Sequence, residues 1–239
     1  MKIKAAFIIQ TCLLFIALAV TFCMNRYSET AEALAGYETS KTVILDAGHG
    51  GFDGGAVAKD GTLEKDINLS ITMRLRDLFL LGGYDVIMIR EQDIGLDSNP
   101  DESIGKRKVS DMKKRLEIVN ENEEAVFLSV HQNNFESGIA SGAQIFYSQN
   151  LPESEVMADC IQNSFSSRLQ KENKRKIKKA GKNIYLLHNA KIPSIIVECG
   201  FLSNANELTL LKNEEYQKKL AFTIYSGYLD YLSEDTLLK

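Results

Sequence analysis

The chain has no tryptophan, three prolines, three histidines and four cysteines in 239 residues. So few prolines exclude a proline-rich, low-complexity protein. The rest of the composition, with 25% charged residues, is that of an ordinary globular chain. Cys12 and Cys23 fall in an apolar N-terminal stretch, leaving only Cys160 and Cys199 for a folded body. With no CxxC pair, neither a disulfide framework nor a thiolate zinc site is available. An excess of basic charge is missing too. The net charge of −4 argues against nucleic acid as the main partner. Internal repeats are absent, and nothing marks a second domain, so the length fits one good-sized domain.

One long hydrophobic run is present. Lys2 and Lys4 precede residues 5–24, an uncharged run of 20 residues interrupted only by Gln10, Thr11 and Thr21. As a helix it would be about 30 Å long, enough to cross a bilayer. Ala31-Glu32-Ala33 and Ala33-Leu34-Ala35 resemble signal cleavage sites, which favours a removed signal peptide. Their distance from the run, and the run's length, favour an uncleaved anchor. Phe22 before Cys23 speaks against a lipoprotein. The sequence therefore divides into a signal peptide or anchor (1–25), a polar tether (26–40), a main domain (41–233) and a short tail (234–239). The main domain is expected to work outside the cytoplasm.

Beyond the tether, strand-like and helix-like stretches alternate. Strands are expected at 42–46, 84–90, 125–130, 143–147, 184–187 and 194–197. Helices are expected at about 64–81, 106–120, 153–171 and 214–232, with a polar loop over 91–105. The first helix carries Ile67, Ile71, Leu75, Leu78 and Phe79 at helical spacing and stops at Gly82-Gly83. This alternation predicts an α/β fold: a single domain with a mainly parallel twisted sheet of about six strands and helices on both faces.

Three of these strands end in residues able to carry chemistry. Thr42-Val43-Ile44-Leu45-Asp46 runs into Ala47-Gly48-His49-Gly50-Gly51, whose glycines allow a sharp turn and close approach of backbone to a ligand. Residues 125–130 end in His131, followed by Gln132 and Asn133. Ser194-Ile195-Ile196-Val197 ends in Glu198, a carboxylate that needs a partner if buried. In open α/β sheets, sites form beyond the carboxyl ends of strands. Two histidines and a glutamate delivered to one edge make a metal-hydrolase pattern. Each residue also has a plain reading: a turn histidine for His49, a salt bridge for Glu198, a helix-dipole partner for Glu64. His188, following 184–187, is a rival third ligand. Three histidines, or two histidines and a glutamate, both make catalytic zinc sites, and spacing leaves the choice open.

The motifs Asp46-Ala47-Gly48-His49-Gly50-Gly51, Glu64-Lys65-Asp66-Ile67-Asn68-Leu69, Ser129-Val130-His131-Gln132-Asn133 and Glu198-Cys199-Gly200-Phe201-Leu202-Ser203-Asn204 occur together. In order and spacing the chain resembles the zinc-dependent N-acetylmuramoyl-L-alanine amidases of the amidase-3 type, from about residue 42 to 232. Ser141-Gly142-Ala143-Gln144 and Tyr185-Leu186-Leu187 look most like the germination-specific spore-cortex branch of spore-forming bacteria. The resemblance implies one Zn2+ per chain, held by His49, Glu64 and His131, with Glu198 as the catalytic carboxylate. It makes Asn133 and His188 candidate substrate contacts. It implies peptidoglycan as substrate, a deacetylase collaborating towards muramic-δ-lactam, and a place in the spore cortex or intermembrane space. The apolar run adds a membrane tether, and a domain on so short a tether works close to the membrane unless an accessory protein repositions it. Ala47, often proline in the family, and Gln132 are departures, but neither is a ligand. The alternatives are a non-catalytic wall-binding protein on the same fold, or a zinc carboxypeptidase or deacetylase of the wall.

One feature remains outside this pattern. Arg168, Lys171, Lys174, Arg175, Lys176, Lys178, Lys179 and Lys182 crowd one segment, opposed only by Glu172. It reads as a solvated loop or as a docking patch for anionic wall or membrane. RNA fits poorly, because no aromatics are interleaved to stack bases.

Overall fold

The computed structural model describes residue 21 and residues 42–237 other than 98. The chain separates into two units, Met1–Ser40 and Lys41–Lys239, and the following concerns the second. The tether, the cleavage sites and all of the anchor but residue 21 lie outside the described residues. Among the described residues, no helix is long and apolar enough to cross a membrane.

The elements run β1 (Val43–Ala47), α1 (Glu64–Leu81), β2 (Val86–Met88), α2 (Ile104–Asn120), β3 (Val126–Asn133), β4 (Gln144–Tyr147), α3 (Pro152–Ser164), β5 (Lys178–Lys179), α4 (Tyr185–Asn189), β6 (Ser194–Phe201), α5 (Ala205–Leu211) and α6 (Glu214–Leu237). The six strands form one sheet in the order β2-β1-β3-β6-β4-β5. Pairing is parallel throughout except between β4 and β6. This is the expected single-domain α/β architecture.

Strands β1, β3 and β6 are central and almost wholly buried, which is why they read as continuous apolar runs. Side-chain alternation gives each strand two faces. Leu45, Leu128, Val130, Ile195 and Val197 pack against Ile67, Ile71, Leu75 and Phe79 of α1, Met157 and Ile161 of α3, and Ile224 and Tyr228 of α6. Phe79 meets Tyr84, Tyr225 and Tyr228 edge-to-face at centroid distances of 5.4, 5.1 and 5.1 Å. Such pairs add about 0.5–1.5 kcal/mol each beyond area burial. On the opposite face, Ile44, Phe127 and Ile196 pack with Val119 of α2 and Leu186 and Leu187 of α4. Helices therefore cover both faces.

Several expected boundaries change. Residues 184–187 are not a strand. They enter α4, where the amide of His188 donates to the carbonyl of Ile184 and that of Ala190 to Leu186. A four-residue apolar run buries equally well as one helical turn, so periodicity could not separate the two. The sixth strand is instead β5, inside the basic segment. The helix expected over 153–171 divides into α3 and a π-helical stretch, Phe165–Leu169. Helix α5 was unanticipated. Its start is fixed by the Asn204 side chain, which accepts from the amides of Asn206 and Glu207.

Candidate metal centre

Alternation places Asp46, Ser129, His131, Ile196 and Glu198 on the sheet face that packs against α2 and α4. Asp46, His131 and Glu198 lie in the carboxyl-terminal halves of their strands. His49 follows β1 with φ of 63°, the one non-glycine residue at positive φ among those described. This turn swings the imidazole back over the strand end. Glu64 begins α1 and is 4% exposed. Its carboxylate faces both rings, with His49 Nε2 at 3.3 Å from Oε2 and His131 Nδ1 at 2.9 Å from Oε1. One nitrogen or oxygen from each of His49, Glu64 and His131 lies within 4.8 Å of the others. Two imidazoles and a carboxylate converging in this way form a donor set suited to a divalent cation such as zinc.

Two glycines make the convergence possible. A Cβ on Gly48 would stand 2.2 Å from the His131 ring. Gly55, at φ of +68°, leaves room that a Cβ would take from Glu64 Oε2 at 2.6 Å and His49 at 2.7 Å.

The electrostatics also fit a cation. Burial acts to lower the His49 pKa, but hydrogen bonds to Asp53 and Glu64 outweigh it and raise the value to about 9. The two histidines hold the Glu64 carboxyl well below its ordinary value despite burial. Positive charge is thus drawn to the point where the three donors meet. Glu198 behaves in the opposite way. Burial, helped by the Glu64 charge, pushes its carboxyl up to about 7 against the pull of His131 and His49. Its Oε2 is buried without a hydrogen-bond partner. It stands opposite His131 in the β3–β6 register.

The supporting groups are ones that sequence reasoning left without roles. Asp53 Oδ2 lies 2.8 Å from His49 Nδ1, and its Oδ1 meets Lys108 Nζ at 2.9 Å. Asn68 donates to Glu64 Oε1 at 3.3 Å and to the carbonyl of Gly48 at 3.1 Å. The amide of Gln132 donates to Glu64 Oε1 at 3.1 Å. Arg115, 2% exposed, binds Asp46 and Asp111 and donates to the carbonyl of His49 at 2.8 Å. Arg90 donates to the carbonyls of Ala47, Gly48 and Lys65. Asp53 and Asn68 each lie four residues from a ligand candidate, a weak local signal. Nothing local ties Arg115 to Asp46.

A cleft of about 340 Å³ opens beside the centre, with His49 and His131 in its wall together with Met112, Ile184, Tyr185 and Ile196. His188 stands exposed on α4, apart from the trio. Asn133 is half-buried at the end of β3, where its carbonyl accepts from the amide of Leu202. Neither lines the cleft.

Comparison with known proteins gives this arrangement its context. Residues 43–229 match the family model for N-acetylmuramoyl-L-alanine amidase. The chain belongs to the N-acetylmuramoyl-L-alanine amidase family. The enzyme is 40% identical to the germination-specific N-acetylmuramoyl-L-alanine amidase of Bacillus subtilis, over 82% of this chain and 81% of the relative. It is 25% identical to the amidase AmiA of Escherichia coli over 80% of this chain and 76% of the relative. Among solved structures, the CwlD amidase of Clostridioides difficile in complex with the GerS lipoprotein superposes with a TM-score of 0.78. That match has 44% identity and covers 81% of this chain and 98% of the other. The amidase fold expected from the four motifs is therefore present.

Proposed function

We propose that the enzyme is a zinc amidase of spore-cortex peptidoglycan, cutting the amide between the lactyl group of N-acetylmuramic acid and L-alanine. The observation that carries this reading is the meeting of His49, Glu64 and His131 at one sheet edge beside the unpartnered carboxylate of Glu198. Zinc held by the three would supply Lewis-acid polarisation of the scissile carbonyl and lower the pKa of a water. Glu198 takes the proton from the attacking water and passes it to the departing amine of L-alanine. Without metal, burial raises its carboxyl to about 7, so a proton is readily held at this position. Asp53 and Asn68 orient the ligands.

Assignment to the cortex draws on the germination-specific relative. An accessory partner is part of the reading, since the similar Clostridioides enzyme was solved with a lipoprotein. A deacetylase acting on the stripped sugar would complete muramic-δ-lactam. Substrate reaching past the cleft would meet His188 on α4 and Asn133 at the end of β3. Residues 5–24 would direct export, with 26–40 as the tether and 41–233 as the catalytic body. N-terminal sequencing of the native protein decides between anchor and signal. A start near Gly36 means a freed enzyme.

The deciding experiment is digestion of purified peptidoglycan with and without zinc, read by mass spectrometry. The expected products are muramic acid with a free lactyl carboxylate and peptides beginning with L-alanine. A trimmed stem peptide, or a deacetylated glycan, would point to another wall hydrolase. Metal analysis tests the ligands: His131→Ala should lose zinc almost completely. Loss in His188→Ala with retention in Glu64→Ala would overturn the set. Glu198→Gln should keep zinc while losing about 10²–10⁴-fold in turnover.

A further inference from the structure

The basic segment is not a uniform charged loop. Arg168 is paired with Asp230, at 3.1 and 2.8 Å, and turns away from the rest. Lys178 and Lys179 form the edge strand β5, bound to β4, and the chain leading into it places Arg175 beside the start of β4, at the carboxyl-end side of β6. Gln144 of β4 stands opposite Glu198 of β6 in an antiparallel pair. Opposed residues in such a pair project to the same face. Arg175 Nη1 donates to Gln144 Oε1 at 3.0 Å, and Gln144 Nε2 donates to the carbonyl of Lys176 at 2.9 Å. Arg175 Nε donates to the carbonyl of Ser141 at 2.8 Å, and its guanidinium lies 4.6 Å over the Phe201 ring.

Arg175 is thus half-buried and held from three sides, one residue removed from Glu198. None of these hydrogen bonds uses Nη2. The guanidinium borders a pocket of about 610 Å³, shared with Ser141, Gly142, Gln170, Asn173 and Glu207. Glu207 accepts from the amides of Gly142 and Phe201, at 2.8 and 2.9 Å, so its oxygens are already engaged. Lys171 and Lys174 stand exposed in its wall, opposed there by the exposed Glu172. The cleft beside His49 and His131 is a different surface: Met112, Ile184, Tyr185, Leu186 and Ile196 line much of it, and its Asp46, Asp111 and Arg115 are paired with one another.

We propose that the Arg175 pocket binds a carboxylate of the stem peptide, and so fixes which way substrate lies across the active site. The proposal rests on the amidase reading above. The stem peptide continues from L-alanine into residues with free carboxylates, whereas the N-acetylated glycan is uncharged. The Arg175 pocket then takes the peptide and the cleft beside His49 and His131 takes the sugar. A pre-held guanidinium with a free donor is a recognition group for carboxylate. A lipid surface would be served as well by mobile lysines alone and would not need Arg175 fixed.

The test uses the zinc-loaded full chain and two soluble muropeptides that differ only in free or amidated stem-peptide carboxylates. Wild type should favour the free acid through KM, by about 10- to 100-fold, the range expected for a hydrogen bond to a charged group. Arg175→Gln should raise KM for the free acid by that factor, leave kcat within a few-fold and erase the preference. Arg175→Lys should restore part of it. Lys174→Gln, a change at an exposed lysine in the pocket wall, should lower the preference by a few-fold. Equal losses on both peptides in Arg175→Gln would assign the residue to structure, and no preference in wild type would also overturn the proposal. So would loss of binding to phosphatidylglycerol vesicles by Arg175→Gln with peptide preference intact, which would make the segment a lipid dock. If wild type cleaves neither peptide, it is the amidase reading that has failed.

Discussion

Asp53 holds Nδ1 of His49 at 2.8 Å and is itself held by Lys108 at 2.9 Å. The contact fixes the ring so that Nε2 faces Glu64. A histidine that binds metal through one nitrogen commonly offers the other to a carboxylate, and losing that partner typically costs 10–100-fold in affinity. Asp53→Asn should therefore weaken zinc binding by about that factor while leaving the fold intact, as read by competition with a chelator. Unchanged affinity would reduce Asp53 to a turn residue. A second prediction concerns Glu198 in the metal-free protein. Its carboxyl is pushed from the ordinary range up to about 7. Between those values the folded state keeps a proton that the unfolded chain has released. The contribution to stability is therefore present at low pH and lost as pH rises through that window. Removing the burden in Glu198→Gln should make the variant gain on wild type from about pH 5 to about pH 8, by on the order of 1–3 kcal/mol. Parallel urea-unfolding curves across that range would show that the carboxylate is not disfavoured.

At the scale of elements, the strands that carry the site were legible because burial on both faces leaves a continuous apolar signature. β1, β3 and β6 could be read, and so could the residues at their ends. Glu64 could not be chosen over His188 from spacing. What brings Glu64 beside the two imidazoles is the start of α1 at the same edge, and what leaves His188 apart is that 184–187 enter α4 rather than a strand. The tie between α2 and β1 was also invisible, since Arg115 and Asp46 are far apart in sequence and meet only through the fold. This tie explains why α2, charged along much of its length, buries Arg115 as deeply as its apolar Val119. Arg115→Met would leave Asp46 and Asp111 without their cation and the His49 carbonyl without that donor. Breaking a buried pair from one side costs about 3–5 kcal/mol. Denaturant unfolding of the metal-free variant should show a loss of that size, and a loss below 1 kcal/mol would mean the network is not stabilising.

For the folded unit as a whole, the proposed ligands come from three places far apart in sequence. His49 follows β1, Glu64 opens α1, and His131 lies within β3. A metal joining them would clip the central sheet to the helix on its other face, in a geometry the unfolded chain does not offer. Anything that binds only the native state stabilises it by mass action, by about 4 kcal/mol at a thousandfold excess over Kd. For a domain of this size each kcal/mol moves Tm by roughly 2–4 °C. Zinc at saturating concentration should therefore raise the calorimetric Tm by about 8–16 °C over chelated protein. His131→Ala should show almost none of this rise, whereas His188→Ala should keep it. The contrast separates the two histidines without any assay of activity. A wild-type protein that melts at the same temperature with zinc and with chelator would show that the trio holds no metal, and the catalytic reading built on it would fall.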